Sequence, residues 1–234
     1  NSNNASAFKV ETTGALTAVA GPPFPAETGS FPVTVDPSGR FAFVANLGIL
    51  TAPLVQGNVS AFSIDGTGAL TAVPGSPFVA GTNPSSVAID PAGKFAYVAN
   101  YTSNDGSAFT IDATGALAAV TGSPITAGTN PASVTVGPSG KFAYVANRNT
   151  ANVSAFTVEA NGALTAVANS PFVTEQGPFC LAIDPTGQFA YTTNQFSNTI
   201  SMFVVNATTG AFAAVGTVQA GLEPVSLAFA KIAP

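Results

Sequence analysis

An all-β fold made of repeated antiparallel sheets is predicted by three observations. The hexapeptide FAFVAN at 41–46 returns as FAYVAN at 95–100 and 142–147 and as FAYTTN at 189–194, so Phe41, Phe95, Phe142 and Phe189 stand 54, 47 and 47 residues apart. A second series, Phe8, Phe62, Phe109, Phe156 and Phe203 inside SAF or SMF, repeats at 54, 47, 47 and 47. No ten-residue window carries a 3.6-residue apolar pattern free of Gly and Pro, which excludes a regular helix. Self-similarity at this period is the signature of a propeller or solenoid, and about five repeats are present in what reads as one domain over residues 1–234.

Each period resolves into four short segments, in one copy SSVAID (A), KFAYVAN (B), SAFTID (C) and GALAAV (D). These segments are rich in β-branched, aromatic and small residues, and Gly, Pro, Asn and Asp separate them. Between A and B lies DPSGR, DPAGK, GPSGK or DPTGQ. Pro presets φ, Asp accepts hydrogen bonds from the turn backbone and Gly takes the left-handed position, so this is a tight hairpin. The C-to-D links DGTGAL, DATGAL and EANGAL have the same chemistry, and the D-to-A connections are longer and Pro-rich. Four hairpin-linked strands per period make an antiparallel meander, the blade of a β-propeller. Large and small residues alternate in A and B with no charge on either face, so both faces are expected to be packed. Counting strands gives five A, four B, five C and five D, because VSLAFA at 225–230 is followed only by KIAP. One blade thus lacks its B strand, with three arrangements open: further blades upstream, a five-bladed ring that accommodates the gap, or a strand supplied by a neighbouring subunit.

Composition narrows function. The chain is 46% hydrophobic and 7% charged, where soluble proteins average about 25% charged residues; this suits a secreted or cell-surface protein. Residues 1–15 contain no basic start with an apolar centre, so any signal peptide is expected to have been removed. Six scattered cations on a chain of net charge -5 offer no basic stripe for nucleic acid. No apolar run reaches the roughly 18 residues of a membrane span. Cys180 is the single cysteine and sits in a small-residue column with Ser86, Ser133 and Ser226, a position for a packed thiol. The five Asn-x-Ser/Thr sequons, at Asn4, Asn58, Asn100, Asn152 and Asn206, follow from the repeat.

The segment P-x-S-V-x-I-D-P-x-G-K followed by FAYVAN resembles the YVTN-type repeat of the lactonase-like β-propeller family, the 6-phosphogluconolactonase-like fold, over essentially the whole chain. The resemblance implies four-stranded blades around a channel, with A innermost and D outermost, and usually seven blades. It spans lactonases, muconate-lactonising enzymes and surface proteins. Its enzymes are expected to gather His, Arg and Glu on one face, whereas this chain has no His; no catalytic residue is carried over, and neither a cofactor nor a metal site is expected.

The face that carries the D-to-A and B-to-C loops offers Tyr101, Asn104, Asp105, Arg148, Asn149, Glu175, Gln176 and Glu223 as ligand candidates. The series Asn46, Asn100, Asn147 and Asn194 recurs too regularly to be a ligand site and reads as capping the loop backbone. A seven-residue insertion lengthens the first B-to-C loop at 47–57, and its Leu47, Ile49, Leu50, Leu54 and Val55 are expected to fold over the channel or to meet a partner. Uncharged D strands on the rim point to self-association or to another surface protein as partner, such as a filament or layer. The leading expectation is a structural or interaction module. The alternatives are a lactonase-like hydrolase and a carbohydrate-binding propeller, the last resting on Tyr101, Phe179 and Phe196.

Overall fold

The computed structural model describes residues 3–20, 23–48 and 56–230, which form strands, turns and loops without helix. The first strands are β1 (Asn4–Ala5), β2 (Phe8–Val10), β3 (Leu16–Ala18) and β4 (Phe24–Pro25); β1 pairs with β4 and β2 with β3, the C and D positions of a blade. Next comes a full blade of β5 (Ser30–Val35), β6 (Phe41–Asn46), β7 (Asn58–Ile64) and β8 (Leu70–Ala72), with β9 (Phe78–Val79) also on β7. The same order recurs in β10 (Pro84–Ile89), β11 (Phe95–Asn100), β12 (Asp105–Ile111), β13 (Leu117–Ala119) and β14 (Ile125–Thr126). It recurs again in β15 (Pro131–Val136), β16 (Phe142–Asn147), β17 (Asn152–Val158), β18 (Leu164–Ala166) and β19 (Phe172–Val173). The last blade is β20 (Pro178–Ile183), β21 (Phe189–Asn194), β22 (Thr199–Val205) and β23 (Phe212–Gln219).

The hairpins form as their residues dictate. Asp36, Asp90 and Asp184 each accept the backbone N–H of the phenylalanine that opens strand B, at 2.7, 2.7 and 2.8 Å. Gly39, Gly93 and Gly187 take positive φ in these turns. The three aspartates are therefore occupied by their own turns.

The apolar core lies between blades. Phe41, Phe43, Val59 and Val73 of one blade share a cluster with Val87, Val98, Phe109 and Leu117 of the next, and every residue of β6 and β16 is buried. Phe41, Phe95 and Phe142 lie against the C-to-D hairpin of the following blade at Gly115, Gly162 and Gly210, where a Cβ would stand 2.4 Å from the ring. Only glycine admits that approach. Two strand-B tyrosines reach the same hairpins: Tyr97 donates to the Gly162 carbonyl at 3.0 Å and Tyr144 to the Gly210 carbonyl at 3.1 Å. Phe189 shows the converse: with no following hairpin among the described residues it is 39% exposed, against 6% for Phe41 and 7% for Phe142.

Strands A of successive blades abut along the channel. Their hydroxyls link them: Ser86 Oγ accepts the Val134 N–H and Ser133 Oγ the Leu181 N–H, at 3.3 and 3.1 Å. Cys180 continues the column, with the Leu227 backbone N–H at its sulfur. Residues 224–230 thus run beside β20, and Phe229 meets Tyr191 edge-on at 5.5 Å. The fifth A strand expected at 225–230 nevertheless does not form. No B strand lies beside it among the described residues, and a strand needs a ladder.

The rim is interrupted at a recurrent place. Between β8 and β9, β13 and β14, and β18 and β19, a Ser-Pro pair breaks the D edge, and Ser76, Ser123 and Ser170 accept strand-C N–H groups at 2.9, 2.9 and 2.8 Å. The hydroxyl replaces the missing ladder carbonyl, and proline offers no N–H to an incoming strand.

Candidate functional site

The site is built by one loop geometry carrying four different side chains. Strand B ends in all four blades with Asn46, Asn100, Asn147 or Asn194, each fully buried. Each amide donates to the first and third residues of strand C, for example Asn100 to Asp105 and Ser107 at 2.7 and 2.9 Å, and Asn147 to Asn152 and Ser154 at 2.8 and 2.9 Å. The asparagines therefore tie strand to strand through side chains rather than cap the loop backbone as expected. Two of them add a backbone partner: Asn147 accepts the Gly128 N–H at 3.0 Å, and Asn46 donates to the Val44 carbonyl at 3.4 Å. Asn100, a sequon residue, is at 0% exposure and presents no acceptor for a glycan.

The next residue in each blade is Leu47, Tyr101, Arg148 or Gln195. Its backbone N–H donates to the carbonyl of the left-handed residue just before strand A: Gly29, Asn83, Asn130 and Gly177, at 3.2, 2.8, 3.0 and 2.7 Å. A repeated bond thus fixes four Cα positions around the mouth of the channel and leaves their side chains free to differ.

Strand A supplies the floor through a β-bulge. The register shifts between Pro84 and Ser86, Pro131 and Ser133, and Pro178 and Cys180. A bulge turns two consecutive side chains to one side. Ser85 with Ser86, Ala132 with Ser133, and Phe179 with Cys180 accordingly line a cavity of about 550 Å³ together with Leu47, Tyr101 and Arg148.

Arg148 organises that cavity. Its Nε and Nη2 both donate to Gln195 Oε1, the former at 3.1 Å, and its Nη1 donates to the Tyr101 hydroxyl at 3.0 Å. The guanidinium lies 4.5 Å from the Phe196 ring centroid and 5.7 Å from that of Phe179, within cation–π range. Gly177 admits Phe196, since a Cβ there would stand 2.7 Å from its ring. Among the described residues the one ion pair is Lys9 with Glu11; Arg148 is held by neutral groups alone. Burial pushes the Cys180 thiol up despite the Leu227 N–H, so its sulfur is not poised as a nucleophile.

The ligand candidates read from the sequence divide accordingly. Tyr101 and Arg148 meet in the cavity. Asp105 serves Asn100 inside the blade, and Asn104 accepts the Asn130 N–H at 2.8 Å. Asn149 donates to Asn130 at 2.6 Å. Glu175, Gln176 and Glu223 are exposed and engage neighbours through backbone N–H groups. Of the insertion, Leu47 folds over Gly29 and lines the cavity, while Ile49, Leu50, Leu54 and Val55 lie outside the described residues. Gln195 was not singled out by sequence. Its position directly after the recurrent Asn was the available signal.

Among the described residues no group of three His, Cys, Asp or Glu side chains is placed to hold a metal ion, and no helix is long and apolar enough to cross a membrane.

No curated protein matches the sequence. Among solved structures, a candidate 6-phosphogluconolactonase of Bacteroides uniformis superposes with a TM-score of 0.80 at 23% identity, over 94% of this chain and 66% of its own. A Lactobacillus plantarum protein gives 0.78 at 22% identity, over 95% and 67%. The periplasmic gluconolactonase of Pseudomonas aeruginosa gives 0.74 at 19% identity, over 94% and 65%. These likenesses establish the fold, and the chain spans about two thirds of the length of these structures. The family described as Lactonase, 7-bladed beta-propeller matches residues 1–123 and 118–229. Repeat, blade and match agree, and the chain belongs to that lactonase-like β-propeller family.

Proposed function

We propose that this propeller binds a sugar-acid lactone at the mouth of its channel and promotes opening of the ring. The observation that carries the reading is Arg148, a cation with no ion pair among the described residues, fixed by Tyr101 and Gln195 at a cavity of about 550 Å³. Membership of a lactonase-like family and the gluconolactonase of Pseudomonas aeruginosa among similar structures support the substrate class. Scarce charge and the periplasmic setting of that relative support a location outside the cytoplasm.

In this reading water adds to the lactone carbonyl. The oxygen that gains charge accepts hydrogen bonds from Arg148, with the Tyr101 hydroxyl beside it, the arrangement that stabilises a tetrahedral oxyanion. The acyl C–O bond of the ring then breaks, the ring oxygen takes up a proton as an alcohol and the acyl carbon becomes a carboxylate. The cavity lining contains no carboxylate or imidazole, so the attacking water gives its proton to solvent.

The test is hydrolysis of glucono-δ-lactone above the spontaneous rate. Arg148→Met is expected to lower kcat by about 10²-fold or more, the effect of removing one oxyanion donor. The rate is expected to rise steadily with pH. Full activity in Arg148→Met, or a bell-shaped profile reporting an acid–base pair, would overturn the reading.

A further inference from the structure

The neutrality of the groups around Arg148 has a meaning of its own. Gln195 and Tyr101 occupy the same repeat position on the two flanking blades. Gln195 Oε1 takes both Nε–H and one Nη2–H, and Tyr101 takes one Nη1–H. A guanidinium has five N–H donors, so one remains on each terminal nitrogen. Two N–H donors left on one guanidinium suit the paired oxygens of a carboxylate. Phe196 at 4.5 Å and Phe179 at 5.7 Å cover the cation without neutralising it. Ser85, Ser86 and Ser133 place hydroxyls on the floor of the same cavity.

We infer that the cavity is a selective site for an open-chain hydroxy-carboxylate, with Arg148 as its anion anchor and Gln195 as the positioning residue that holds the fork while leaving its charge unspent. The inference rests on the same cavity as the hydrolytic reading and deepens it. The ring-opened acid carries a full charge where the lactone has only a carbonyl dipole, so the acid binds more tightly and inhibits ring opening.

The experiment is calorimetric titration at constant ionic strength with gluconate and, as a neutral polyol of similar size, glucose. Wild type is expected to bind gluconate at least about tenfold more tightly than glucose, as a charge-assisted pair requires. Gln195→Glu places a carboxylate on Arg148 and is expected to abolish that preference with little change in melting temperature, whereas Gln195→Met is expected to keep part of it. Salt offers a second measure that needs no variant: gluconate affinity should fall between 50 and about 300 mM NaCl while glucose affinity stays level. Equal affinity for the two ligands, no detectable gluconate binding, or an unchanged preference in a folded Gln195→Glu variant would overturn the inference. Gluconate binding without lactone opening would remove the hydrolytic reading and leave this one; lactone opening without inhibition by gluconate would do the reverse.

Discussion

At the scale of single residues, the aspartates show how much a side chain can be committed to its own turn. In Asp36 and Asp184 burial works to raise the carboxyl pKa, but hydrogen bonds from Ser38 and the Phe41 backbone, and from Thr186 and the Phe189 backbone, outweigh it and hold both below 3.8. At Asp65 and Asp112 the Thr67 and Thr114 hydroxyls lead the same downward shift. A carboxyl held below its unfolded value adds stability above that value and loses it as pH falls through the folded one. The melting temperature should therefore decline as pH drops below about 4, and Asp184→Asn should make the decline shallower; an unchanged acid limb in that variant would contradict this account. The turn role of these aspartates was legible from the DPxG and DxTG spacings. The asparagine partners were not, because strand B ends opposite the start of strand C only once the hairpin register is known, as in the pairing of Asn100 with Asp105.

Elements reveal why the period was readable and the site was not. Phe95 recurs at a fixed distance because each copy must meet the glycine of the next blade's hairpin, here Gly162. Replacing Gly162 with Val drives a side chain into that ring at a φ of +84°, and the expected loss is about 2–4 kcal/mol in urea unfolding. Gly14 holds the equivalent place with a φ of +83° and nothing within 4 Å. Gly14→Val should therefore cost only the backbone strain, about 1 kcal/mol, and equal losses in the two variants would sink the packing argument. Alternation of large and small residues in strand A predicts two packed faces. The bulge after Pro84, Pro131 and Pro178 breaks that rule and brings in Ser85, Ala132 and Phe179. A local slip of this kind leaves no mark in a pattern of apolar and polar letters.

For the whole molecule, stability is distributed over interfaces between neighbouring blades, as in other repeat architectures. Tyr97 and Tyr144 bond to different hairpins, at Gly162 and Gly210. Each Tyr→Phe change should cost about 1 kcal/mol, and the double variant should lose the sum to within about 0.5 kcal/mol; a larger coupling would show that the two interfaces share partners. The apolar clusters between blades exclude Leu47, Tyr101, Arg148 and Gln195, which lie one residue beyond the buried Asn of strand B with their backbones held by the repeated bond. Mutation at the mouth is thereby uncoupled from mutation in the core. A lineage can exchange one recognition chemistry for another at those positions, blade by blade, with the scaffold's folding left undisturbed.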